Sequence, residues 1–162
     1  MIDIDTLIFD LDGTLIDSKD VIVNAINYAL NKFNKPELNY NMVFLHLGRD
    51  SRYFVSKIFK TDDEKTIEKA LSYFKDYWDS NIASQARLFD GVIDVLDHFK
   101  EKNMIILSNG IYDVIDTILD EFDIRKYFND VFSGDEKDCL KPSPCPIEKA
   151  FKIGHFKEKK KA

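Results

Sequence analysis

The 162-residue chain reads as an α/β protein, a parallel sheet core interrupted by one long helical insertion. Three observations carry that expectation. The apolar run Leu7-Ile8-Phe9 leads into Asp10-Leu11-Asp12-Gly13-Thr14, a strand that delivers carboxylates to the carboxyl edge of a sheet. Residues 17–85 read as helical throughout. From about residue 86 helical periods alternate with short apolar runs, as in parallel strands joined by helices.

The elements follow in order. Residues 1–16 hold one strand and the Asp-Leu-Asp-Gly-Thr motif, and Ser18 is positioned to cap the first helix. Ile22, Ala25, Ile26, Ala29, Leu30 and Phe33 recur at helical spacing until Asn34-Lys35-Pro36 breaks the run. Shorter helices are expected over 40–46, 51–59 and 63–82, with Gly48 and Thr61-Asp62-Asp63 as punctuation. Asp90-Gly91 opens a helix carrying Val92, Val95, Leu96 and Phe99. Met104–Leu107 is a strand, Ile111–Phe122 a helix, Val131-Phe132-Ser133 a strand and 145–153 a last helix. The division is therefore a core of residues 1–16 plus 86–162 and a helical insertion of residues 17–85.

Composition narrows the class. A hydrophobic fraction of 44% suffices for a core without disulfides, and the 13 Phe and 7 Tyr belong mainly inside it. The net charge of −6 argues against a nucleic-acid partner. No apolar run approaches membrane-spanning length, and the acidic start Met1-Ile2-Asp3-Ile4-Asp5 is unlike a signal peptide. Cys139 and Cys145 match no zinc spacing and are expected to be reduced, in a cytoplasmic protein. His46, His98 and His155 form no metal-ligand pair. The tail Lys157-Glu158-Lys159-Lys160-Lys161 is the only low-complexity piece.

Chemistry concentrates in three places. Asp10 and Asp12 stand two residues apart at a strand end, Gly13 permits a sharp turn, and Thr14 offers a hydroxyl to an anion. Such a set suits phosphoryl transfer through an aspartyl intermediate with a metal ion beside it. Ser108-Asn109-Gly110 follows the strand 104–107 and can cradle an anion with backbone N–H groups. Lys141-Pro142 precedes the last helix. In the insertion, Gly48-Arg49-Asp50-Ser51-Arg52 is the candidate substrate-facing loop, where Arg49 and Arg52 could hold an anion.

The order Asp-x-Asp-Gly-Thr, then Ser after an apolar strand, then Lys-Pro resembles the haloacid dehalogenase-like superfamily. Leu88–Leu96 and Tyr127–Gly134 also fit, and the insertion resembles the helical cap of phosphoglycolate phosphatase-like and β-phosphoglucomutase-like members. The resemblance implies a Rossmann-like core and a phosphatase of small phosphorylated metabolites. Under it Asp10 is the nucleophile, Asp12 the acid and then the base, and Lys141 steadies the developing charge. Thr14, Ser108 and the Asn109 N–H would contact phosphate, while Mg2+ would sit on the Asp10 carboxylate and the Asp12 carbonyl. An acid at position 12 favours an alkoxide leaving group over dehalogenation. A phosphomutase and a catalytically inactive phosphate- or protein-binding fold remain open beside the phosphatase.

One departure from the family pattern stands out. Its fourth motif, Gly-Asp-x-x-x-Asp after a further strand, has no match beyond Lys141. Gly134-Asp135-Glu136-Lys137-Asp138 imitates it but precedes the lysine and reads as a loop. The sequence therefore predicts a chain shortened at its C-terminus, weak magnesium binding and impaired turnover. It also predicts an exposed edge at Thr6–Phe9 through which the chain could form a homodimer.

Overall fold

The computed structural model describes residues 5–135 and 139–153. The lysine-rich tail, His155 and residues 136–138 of the acidic run lie outside the described residues. In chain order the elements are β1 (Thr6–Phe9), β2 (Ile16–Asp17), α1 (Lys19–Lys32), α2 (Tyr40–Phe44), α3 (Ser51–Phe59) and α4 (Glu64–Gln85). They continue with β3 (Arg87–Leu88), α5 (Val92–His98), β4 (Asn103–Leu107), α6 (Tyr112–Glu121), β5 (Asp130–Phe132) and α7 (Cys145–Ile153).

β1, β4 and β5 form a parallel sheet in the order β1-β4-β5, with Phe9 opposite Ile106 and Leu107 opposite Phe132. β4 is central, and its Met104, Ile105, Ile106 and Leu107 are all buried, which explains a continuous apolar run rather than an alternating one. Each such side chain contributes about 1.5–3 kcal/mol on burial, so this strand anchors the sheet. With Phe9 opposite Ile106, Asp10 and Ser108 come to the same edge of the sheet, each immediately past the end of its strand.

The helices α1 to α4 occupy the interval between β2 and β3. α1 buries Ile22, Ala25, Ile26, Ala29 and Leu30, as their spacing predicts, and Val21 besides, whereas Phe33 is its half-buried C-cap, just before Asn34 takes a positive φ of 53°. α4 packs against α1, α3 and α6, so the helical segment rests on the sheet-bearing part of the chain through α6. Asp50 and Asp63 cap α3 and α4, their carboxylates accepting from Tyr53 N and Thr66 N at 2.9 Å each.

Two short strands escaped the sequence reading. β2 pairs antiparallel with β3, Ile16 opposite Leu88 and Asp17 opposite Arg87, where the chain leaves the sheet and where it returns. Two residues are too few to show a period.

Two expectations are corrected here. Ser18 makes no side-chain cap on α1; its hydroxyl donates to Asp12 Oδ1 at 2.5 Å instead. Cys139 and Cys145 are joined by a disulfide with Cα atoms 5.2 Å apart, not left reduced. Six residues of separation and the Pro142 and Pro144 turns bring the two backbones within bridging range. The disulfide removes the support that reduced cysteines lent to a cytoplasmic location. No helix among the described residues is long and apolar enough to cross a membrane.

Candidate active site

Asp10 leaves β1 with its side chain 45% exposed, and Lys141 reaches it from the loop before α7. Lys141 Nζ donates to Asp10 Oδ1 at 2.5 Å and to the Leu107 carbonyl at 2.8 Å. The ammonium is thus tied to the ends of both β1 and β4. It fixes one oxygen of the Asp10 carboxylate, and the other accepts no hydrogen bond from the described residues.

Asp12 sits in a different setting. The chain turns tightly after it, Leu11 O accepting from Leu15 N at 2.9 Å, with Gly13 at a φ of 79° that favours glycine. Burial raises the Asp12 pKa from its ordinary value of 3.8. The Ser18 hydroxyl opposes that rise, the Asp10 charge adds to it, and Lys141 opposes it. An aspartic acid that holds its proton more tightly beside an exposed carboxylate is an arrangement suited to opposed acid and nucleophile tasks.

The loop after β4 organises the rest. Ser108 is buried, and its Oγ accepts from Gly110 N at 3.0 Å. Asn109 clamps the lysine loop: its Oδ1 accepts from Lys141 N and its Nδ2 donates to Lys141 O, both at 2.9 Å. The same Nδ2 donates to Gly48 O at 2.9 Å, which fastens the loop ahead of α3 to the sheet end. Gly134 completes the support. A Cβ there would lie 2.1 Å from Asn109 O, so only glycine lets the loop after β5 approach so closely.

These groups face a cavity of about 340 Å³. Asp10, Asp12, Ser108, Asn109, Gly110 and Lys141 line its sheet side, and Gly48, Arg49 and Ser51 join it from the helical segment. Thr14 is exposed in its turn and does not line the cavity. Arg52 is directed elsewhere, paired with Glu64 and lying 3.9 Å from Glu68. Arg49 is exposed with its guanidinium 4.6 Å from the centre of the Tyr53 ring. His46 is not part of the lining. Asp135 accepts from Tyr112 N at 3.0 Å and from Ser133 Oγ at 2.7 Å, so it serves the start of α6 rather than the cavity.

Three contributors were not legible as such in the sequence: the Ser18 hydroxyl, the Asn109 side chain and Gly134. A Ser-Asn-Gly turn signals backbone donors, but the partners of its side-chain amide lie 61 and 32 residues away. Long-range contacts of this kind leave no local pattern.

Magnesium prefers oxygen ligands, keeps several waters and is commonly held by one or two carboxylates together with substrate phosphate. The exposed Asp10 carboxylate, whose Lys141-bound oxygen can also face a cation, and the adjoining Asp12 fit that pattern. Among the described residues no cluster of three or more His, Cys, Asp or Glu could hold a metal. The fit is therefore to a small protein donor set.

A paired aspartate motif past β1, a hydroxyl past β4 and a lysine that closes on the first aspartate define a hydrolase architecture. The family model described as haloacid dehalogenase-like hydrolase matches residues 7–161, and the chain belongs to that family. It is 26% identical to a phosphoglycolate phosphatase of Haemophilus influenzae over 149 residues, covering 86% of this chain and 66% of that protein. A phosphoglycolate phosphatase of Aquifex aeolicus is 28% identical over 149 residues, 91% of this chain and 68% of that one. The crystal structure of a predicted phosphoglycolate phosphatase from Haemophilus somnus superposes with a TM-score of 0.80 at 25% identity. It covers 93% of this chain and 72% of that one. The chain thus spans about two thirds of the length of the curated relatives it matches.

Proposed function

We propose that this chain hydrolyses phosphate monoesters of small metabolites through a phosphorylated Asp10. The observation that carries the reading is the pair of unlike aspartates in one cavity, with Lys141 Nζ 2.5 Å from Asp10 Oδ1. The relatives described as phosphoglycolate phosphatases support the reaction class. Helices α1 to α4, within residues 17–85, act as the cap that covers the site and excludes water.

In this reading the free oxygen of Asp10 attacks phosphorus and the ester oxygen leaves. Protonated Asp12 gives that oxygen its proton, so the alcohol departs neutral. Asp12, now ionised, takes a proton from the water that cleaves the aspartyl phosphate and returns to its starting state. Lys141 keeps Asp10 aligned and offsets charge on the phosphoryl oxygens, and the Ser108 hydroxyl and the Asn109 N–H donate to those oxygens. Thr14 supplies a further phosphate contact if its turn closes on the ligand. Mg2+, held by the Asp10 carboxylate and the Asp12 carbonyl, would neutralise charge between nucleophile and phosphate. Two protein oxygens give a weak hold, so metal affinity should rise when inorganic phosphate is present.

Phosphate release from a panel of monoesters, with and without Mg2+, tests the proposal. Release that needs Mg2+ and vanishes in Asp10→Asn is expected, with Lys141→Met lowering kcat by about 10²–10³-fold. Isomerised product without free phosphate would indicate a mutase, and binding of phosphate without turnover would indicate an inactive fold.

A further inference from the structure

The wall of the cavity opposite the sheet is almost wholly apolar. Ile22 of α1, Phe54 of α3, Leu71, Phe74 and Trp78 of α4 and Val114 of α6 line it. Phe74 stacks on Trp78 with ring centres 5.8 Å apart and planes 21° from parallel, so the half-buried Phe74 ring is backed by an almost fully buried indole. Trp78 is 1% exposed, and its indole N–H is buried and finds no hydrogen-bond partner among the described residues, so it gives a ligand no accessible polar anchor. Away from the sheet end, the polar lining among the described residues is Gly48, Arg49 and Ser51, and Arg49 lies over the Tyr53 ring.

Resting on the phosphomonoesterase reading, we infer that the preferred substrate is a phosphate monoester of an apolar, ring-bearing alcohol. A carboxylate or a polyol set against this wall would lose its water without gaining partners, which disfavours small polar esters. An aromatic or alicyclic body instead removes apolar surface from water on both sides, and about 340 Å³ accommodates one with its phosphate. The sheet-side groups hold the phosphate, and the apolar wall selects the alcohol. Phe74 and Leu71 are the specificity-determining residues, since both are half-buried, line the cavity and take no part in the chemistry.

The test separates binding from turnover. Calorimetry with the full chain and Mg2+ compares benzylphosphonate with methylphosphonate, neither of which is hydrolysed. Kinetics compare kcat/KM for benzyl phosphate, ethyl phosphate, glycerol 3-phosphate and 2-phosphoglycolate. Benzylphosphonate should bind at least about tenfold more tightly than methylphosphonate, a modest return for burying a ring. Phe74→Ala and Leu71→Gln should each shrink that ratio at least about threefold while leaving methylphosphonate affinity unchanged. Leu71→Gln retains side-chain bulk and serves if Phe74→Ala does not fold. Equal affinity for the two phosphonates, no binding of either, or a preference for 2-phosphoglycolate over benzyl phosphate overturns the inference. Selective benzylphosphonate binding without hydrolysis of any ester sustains it and refutes the phosphatase reading alone.

Discussion

At the end of β1 two aspartates two residues apart meet different surroundings, and the difference is physical rather than a matter of position in a motif. Asp10 is exposed and held by an ammonium, whereas burial is the largest influence on Asp12 and raises its pKa. The linkage has a definite sign. A carboxyl whose folded pKa lies above its unfolded value binds protons more tightly in the native state, so stability falls as pH rises from about 3.8 through the raised value. Asp12→Asn keeps an oxygen for Ser18 Oγ and removes the ionisation that desolvation disfavours. It should therefore raise the melting temperature at neutral pH and flatten its pH dependence in mild acid, as calorimetry would read. The same variant should lose about 10²–10⁴-fold in phosphate release. A melting temperature lowered at pH 7 would contradict the burial argument. Gly134 belongs to this scale too. Gly134→Ala forces a Cβ onto the Asn109 backbone and should cost about 1–3 kcal/mol in denaturant unfolding, since backbone atoms have little room to give.

Among elements, the loop from Cys139 to Cys145 and the loop after β4 form one assembly. The disulfide closes a short ring around Lys141, and Asn109 binds that ring at both its N–H and its carbonyl. On the loop-closure model a ring of this size stabilises by about 2 kcal/mol. Reduction, or Cys139→Ser with Cys145→Ser, should lower unfolding stability by about that amount. Asn109→Ala should raise KM more than Lys141→Met does, because it frees both the lysine loop and the Gly48 loop. The sequence showed the helices well, since Ile22, Ala25, Ile26, Ala29 and Leu30 recur on the face α1 buries, and Thr61-Asp62-Asp63 stands where α4 is capped; the Asp50 cap on α3 was not read. It showed β4 because a strand buried on both faces needs no alternation. β2 and β3 were too short to register. The disulfide was missed because pairing depends on how two prolines fold the intervening chain, which spacing alone does not encode. Arg49 and Arg52 looked equivalent in the sequence, yet Glu64, Glu68 and Tyr53 separate them in space.

For the molecule as a whole, the sheet end together with α1, α3, α4 and α6 lines a cavity that is polar toward the sheet and mainly apolar opposite it. β1 pairs only with β4 among the described residues, leaving one of its edges without a strand. Four half-buried residues on a parallel edge are a template for another strand, and we propose that a second copy of the 162-residue chain supplies it as concentration rises. Light scattering over a dilution series checks that expectation, and Leu7→Lys should reduce the dimer fraction; a monomer at all concentrations opposes it. The family and the positions of Asp10, Asp12, Ser108 and Lys141 were readable from local strings. Their convergence on one cavity needed the register of β1 on β4. The central claim is that Asp10 carries the phosphoryl group. A single-turnover reaction with benzyl phosphate and Mg2+, quenched in acid and followed by peptide mass spectrometry, tests it most directly. The Asp10 peptide should gain one phosphoryl group, and Asp10→Asn should abolish the gain; an unmodified Asp10 peptide, with or without phosphate release, would contradict the account.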